Sequence, residues 1–165
     1  RILKRYGEVR IGGLINCDRS LVMIVSQILK EKGHDVFTVT KEISVKEVSD
    51  LLAEKRIGAV VVTDQADAVE GIISERDVVR GLAQHGSGIL DKTVADLMTK
   101  NVITHSLDDN IDDLMQEMSK SRIRHLPILD DGKLVGVISI GDVVKNRVGE
   151  LEAEGSMLRD YIATG

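Results

Sequence analysis

Apolar residues at Leu21, Ile24, Val25 and Ile28 fall on one face of a 3.6-residue repeat, and Gly33 stands where a helix-ending residue is favoured. The spacing predicts a helix over 21–32. VFTV at 36–39 reads as a short strand. Ser44 and Glu47 have capping-box spacing and open a helix whose Val45, Val48, Leu51 and Leu52 face inward. The β-branched run AVVV at 59–62, a polar turn and VEGIIS at 69–74 predict two strands, with a helix after them.

The same pattern then returns. RIGAVVVTD at 56–64 is matched by RIRHLPILD at 122–130, and VEGIISERDVVR at 69–80 by LVGVISIGDVVK at 134–145, the first copy having one extra residue in its turn. Asn110 and Asp113 occupy the places of Ser44 and Glu47, and Ile111, Leu114, Met115 and Met118 follow at helical spacing. Each unit therefore reads strand, helix, strand, strand, helix. QHGSG at 84–88 is the loop between them, and Thr93 with Asp96 begins a short helix to Met98. The boundaries are an N-terminal extension at 1–19, one copy at 20–85, the other at 86–147, and a helical tail at 148–165. The fold class is α/β, with two repeats packed sheet to sheet about a pseudo-two-fold axis, because the apolar face of each unit needs a partner and its own copy is nearest.

Composition narrows the function classes. The 165 residues, 42% hydrophobic and 30% charged, suffice for a core that buries about 70% of the unfolded surface. The net charge of −5 opposes nonspecific nucleic-acid binding, and Tyr6, Phe37 and Tyr161 are too few to build a stacking platform. The single cysteine, Cys17, allows no intramolecular disulfide and fits a cytoplasmic protein. No apolar run approaches the roughly 20 residues of a membrane span. An anion would have to be held by local donors against the overall field.

Two motifs sit where a strand hands over to a helix, Ser74-x-x-Asp77 and Ser139-x-x-Asp142. Each is readable as a plain N-terminal cap. The junction also presents free N–H groups at a positive dipole end, and a carboxylate there can accept from two vicinal ribose hydroxyls. The acids Asp108, Asp109, Asp112 and Asp113 surround a helix start, where the dipole favours them, and lack calcium-loop spacing. His34, His85, His105 and His125 show no metal-ligand spacing. No metal site is expected, and no nucleophile elbow, P-loop or His-Glu-x-x-His helix announces an enzyme.

The Arg-Ile-x-x-Leu-Pro-Ile-Leu-Asp at 122–130, the Gly-Val-Ile-Ser at 136–139 and Asp142, with a weaker first copy at 56–77, resemble a tandem pair of CBS domains, the modules named after cystathionine beta-synthase. The match spans about residues 20–147, and its layout is similar to small bacterial stand-alone CBS-pair proteins. The resemblance implies a sensor that binds AMP, ATP, NAD or NADH, or S-adenosylmethionine in clefts drawing on both units. It implies ribose contacts from Asp77 and Asp142, with Ser74, Ser139 and the open backbone at Gly141 beside ribose or phosphate. An adenine sandwich would be formed by Phe37 and Thr38, by Ile57, Gly58 and Ala59, by Ile103 and Thr104, and by Ile123, Arg124 and His125. At the phosphate level Arg124 and His125 suit a monoester, with Arg76 and Arg80 as further cations. Val61 replaces the second copy's Pro127, so the first copy departs from the pattern there. A homodimer and an unidentified regulated protein are the expected partners, without nucleic acid or membrane. The alternatives are a nucleotide-processing enzyme such as a weak phosphohydrolase, and a structural dimerisation module with vestigial clefts.

Overall fold

The computed structural model describes residues 24–164. The first unit contributes β1 (Thr38–Val39), α2 (Val45–Lys55), β2 (Ala59–Thr63), β3 (Val69–Ser74) and α3 (Glu75–His85), preceded by α1 (Val25–Lys32). A 3-10 turn at Gly86–Asp91 leads to α4 (Val94–Leu97), and the second unit follows as β4 (His105–Ser106), α5 (Ile111–Ser121), β5 (His125–Asp130), β6 (Lys133–Ser139) and α6 (Ile140–Thr164). The three-stranded sheets run β1-β2-β3 and β4-β5-β6, each with a parallel first pair and an antiparallel second pair. Even the irregularity is duplicated: a register shift between Val62 and Thr63 returns between Ile128 and Leu129.

Period-two alternation sends Val60 and Val62 of β2 to one core and Leu126 and Ile128 of β5 to the other. Val61 and Pro127 point to the opposite faces and are buried as well. Both faces of each central strand are thus covered, as sheet-to-sheet packing requires. Pro127 costs its sheet little, because the parallel pairing with β4 begins one residue later, at Ile128.

The short helices change places. Val25, Ile28 and Leu29 of α1 join the core built by α5, β5, β6 and Val143, while Val94 of α4, with Leu97 and Met98, joins the core of α2, β2 and β3. Their first-turn amides follow. Val25 and Ser26 donate to the carbonyls of Asp109 and Leu107, each at 3.0 Å, and Val94 and Ala95 donate to those of Ile43 and Lys41 at 2.9 and 3.0 Å. Orphan donors at each helix start are therefore satisfied by the unit that receives the helix. A glycine admits each one. A Cβ on Gly136 would stand 2.7 Å from Leu29 Cδ1, and one on Gly71 would stand 2.6 Å from Met98 Sδ.

Local structure follows the sequence with two corrections. Ser44 and Glu47 form the capping box, Ser44 N–H donating to Glu47 Oε2 at 2.8 Å and Glu47 N–H to Ser44 Oγ at 3.1 Å. In the second copy Asn110 Oδ1 instead accepts from Asp112 N–H at 2.8 Å, a cap without the reciprocal N3 bond. The strand expected at 36–39 is only Thr38–Val39, paired with Val61 and Val62 of β2. α2 and α5 both end on a left-handed arginine, Arg56 with φ 53° and Arg122 with φ 55°. The tail is continuous with the last helix to Thr164. Leu21, Tyr6 and Cys17 lie outside the described residues.

Candidate functional site: the cleft between the repeats

The turn after each left-handed arginine starts a central strand, and the strand's first residues meet the strand-to-helix junction beside it. Glu75 N–H donates to Gly58 O at 3.0 Å, and Ile140 N–H donates to Arg124 O at 2.9 Å. At the first junction these contacts open into a cavity of about 510 Å³. Gly58, Ala59, Ser74, Arg76 and Asp77 line it from the first unit, and Ile103, Ile123, Arg124 and His125 from the second. With Arg80, which also lines it, ten of the residues expected from the sequence are thereby brought together.

Asp77 is anchored through one oxygen. Ser74 N–H and Ser74 Oγ donate to its Oδ2 at 2.8 and 2.6 Å, so Oδ1 is outside the cap. Arg76 Nη1 donates across the cleft to Arg122 O at 2.9 Å, tying α3 to the left-handed end of α5. His125 is packed over Gly58: a Cβ there would stand 3.0 Å from its Cε1. Burial pushes the His125 imidazole below its ordinary range, and the charges of Lys32, Arg124 and Arg76 push the same way against the opposing pull of Asp142.

The remaining expected residues lie elsewhere. Ser139 and Asp142 repeat the cap at the second junction, Ser139 N–H and Oγ both donating to Asp142 Oδ2 at 2.7 Å. There Lys32 Nζ also reaches Asp142 Oδ2, at 2.6 Å, and donates to Val137 O at 2.9 Å. Burial raises the Asp142 carboxyl, but the hydrogen bonds from Lys32 and Ser139 outweigh it and hold the group below the usual carboxylate range. Gly141 is exposed in the first turn of α6. Phe37 is 40% exposed, with Lys55 Nζ 5.8 Å from its ring centre. Thr38 lines a separate groove with His34, Thr63 and Lys133. Ile57 packs against the first core, and Thr104 is half-buried just ahead of β4.

The cavity holds residues that sequence reasoning passed over: Thr99, Asn101, Glu75, Ser121 and Arg122. Arg122 was findable, since Arg56-Ile57 recurs as Arg122-Ile123. Thr99 was not, because it arrives by bridging the edge of β3, its N–H donating to Ile72 O at 2.9 Å. With Arg80 one turn beyond Asp77, four guanidinium groups from both units border the cavity, against the carboxylates of Glu75 and Asp77. Among the described residues no three metal-ligating side chains converge, and no helix is long and apolar enough to cross a membrane. Asp109 accepts from Ser106 N–H at 3.0 Å and pairs with His105 Nδ1 at 2.7 Å.

Comparison with known proteins places this architecture. The CBS domain model matches twice, at residues 25–84 and 94–149. The crystal structure of the CBS-domain containing protein ATU1752 from Agrobacterium tumefaciens is 44% identical with a TM-score of 0.74, covering 76% of this chain and 99% of that one. The CBS domain pair of protein MJ0100, in complex with 5′-methylthioadenosine and S-adenosyl-L-methionine, is 29% identical with a TM-score of 0.70, covering 78% of this chain and 98% of that one. The CBS domain protein PAE2072 from Pyrobaculum aerophilum, complexed with AMP, is 28% identical with a TM-score of 0.65, covering 73% and 89%. The duplicated sheet, the paired strand-to-helix carboxylates and these matches agree, and the chain belongs to the CBS domain family as a tandem pair.

Proposed function

We propose that the chain is a regulatory module that binds an adenine nucleotide in the cleft at Asp77. The observation that carries this reading is the convergence of four arginines from both units with a carboxylate whose outer oxygen is outside its cap. Such a set matches a ribose joined to phosphate: the carboxylate accepts from vicinal hydroxyls, and guanidinium groups pair with phosphate oxygens. Apolar walls from Ile103 and Ile123 suit the base, and the volume lies within the ordinary range for small-ligand sites. The adenine compounds bound by the relatives support the same ligand class.

Occupancy pulls on both units at once, because Arg76 and Arg122 already join α3 to the end of α5. The ligands in view are AMP, ATP, NAD or NADH, and S-adenosylmethionine. Exposed apolar residues on the closing helix of each unit, Val79 and Leu82 on α3 and Val144 and Val148 on α6, support a homodimer that relays the signal to a regulated protein. The test is a thermal-shift panel of these ligands and guanosine counterparts, with and without magnesium, while turnover is monitored. A ligand at 100 times its Kd stabilises the native state by about 2.7 kcal/mol. Flat melts across the panel would remove the sensor reading, and product formation would replace it with an enzymatic one.

A further inference from the structure

Lys32 sets the second junction apart from the first. Ile72 and Val137 occupy equivalent places on the edge strands β3 and β6, yet their carbonyls are met differently. Ile72 O accepts the backbone N–H of Thr99 at 2.9 Å, whereas Val137 O accepts Lys32 Nζ at 2.9 Å. The lysine is long enough to continue to Asp142, whose Oδ2 then receives three donors within 2.7 Å: Lys32 Nζ, Ser139 N–H and Ser139 Oγ. Among the described residues no lysine or arginine is ion-paired with Asp77.

We infer that Lys32 is a specificity-determining residue that closes the second cleft to nucleosides by holding the carboxylate a ribose diol would need. This rests on the adenine-nucleotide reading of the first cleft. A diol reaching Asp142 meets a carboxylate whose charge is already compensated by a cation 2.6 Å away, in a pair whose groups are 37% and 23% exposed, and it adds only neutral hydroxyl donors. At Asp77 no ion-paired lysine or arginine stands in that place among the described residues. The chain therefore has one tight site and one masked site, and the mask is carried by α1, the helix lent to the second unit.

Calorimetric titration with adenosine isolates the ribose step from phosphate attraction. The parent should bind one equivalent per chain in its tight class. Lys32→Met, and Lys32→Gln, which keeps a donor for Val137 O without the charge, should reveal a second class tightened at least tenfold, about 1.4 kcal/mol. Adding Asp142→Ala to Lys32→Met should abolish that class, and adding Asp77→Ala should leave it. Cooperative melts without ligand identify which variant is folded and fit for titration. Two equal adenosine sites in the parent, or a second site unchanged or weakened in both lysine variants, would overturn the inference while leaving the nucleotide reading intact. No binding of adenosine or AMP by any of these proteins would sink both together.

Discussion

Asp77→Ala removes an acceptor that serves the fold and the ligand at the same time, and the two roles separate by measurement. In the fold, Asp77 Oδ2 accepts from Ser74 N–H and Ser74 Oγ at the start of α3. Losing such a cap costs about 1 kcal/mol, or about 2–4 °C in Tm for a chain of this size. In the ligand complex, a hydroxyl bonded to a charged carboxylate contributes about 1.5–3 kcal/mol. The assay is a cycle of AMP and 2′,3′-dideoxy-AMP titrated into the parent and into Asp77→Ala. Removing the hydroxyls should weaken binding to the parent by roughly ten- to 150-fold, which is that energy at tenfold per 1.4 kcal/mol, and should cost the variant almost nothing. The coupling energy is then free of the cap's contribution, because the cap is lost equally with either ligand. Equal losses in parent and variant would show that Asp77 is a cap and no more, and would refute the ribose assignment.

Arg124→Ala should cost AMP more than adenosine, by about 1.5–3 kcal/mol for a charged hydrogen bond, and equal losses in calorimetry would mean that it only shapes the cavity. His125, lowered first by burial and then by the charge of Lys32, binds its proton less readily folded than unfolded. Its contribution to stability is therefore complete above the unfolded value near 6.5 and is lost as pH falls through the window below it. Urea melts should show that slope in the parent and a flatter one in His125→Asn. Gly136→Ala sets a Cβ 2.7 Å from Leu29 Cδ1 and should destabilise by about 1–3 kcal/mol, while Leu29→Ala alone should cost about 2–5 kcal/mol. Their double variant should lose less than the sum in denaturant unfolding, because the deleted side chain is the one that clashes.

What the sequence made legible was local or duplicated. Ser44 with Glu47, the Ser74 and Ser139 caps and the alternation in β2 and β5 each depend on residues a few places apart, and the repeat doubled the last two. The placement of Gly58 and Arg124 in one cavity followed from the repeat as well. Lys32 escaped notice because its partner Asp142 is 110 residues away, and a lysine late in an amphipathic helix looks like a solvated residue favoured by the dipole. The exchange of α1 and α4 was hidden for a similar reason. Their apolar faces specify burial, but an amphipathic pattern does not name the sheet that receives it. Phe37 entered through the adenine sandwich that the resemblance implied, yet β1 pairs only at Thr38 and Val39 and leaves the ring outside the first cavity.

The exchange of short helices also fixes an order on the growing chain. Val25, Ile28 and Leu29 leave the ribosome early, but their neighbours Ile138 and Val143 emerge more than a hundred residues later. The first sheet can be sealed once Val94 has emerged; the helix that seals the second is made before either sheet and must wait for it. Because closure joins such distant segments, completion of the second core is the step of highest contact order and should set the folding rate. A nascent chain paused before Val143 carries α1 with its apolar face uncovered, and a cut between the copies leaves each half with an open core.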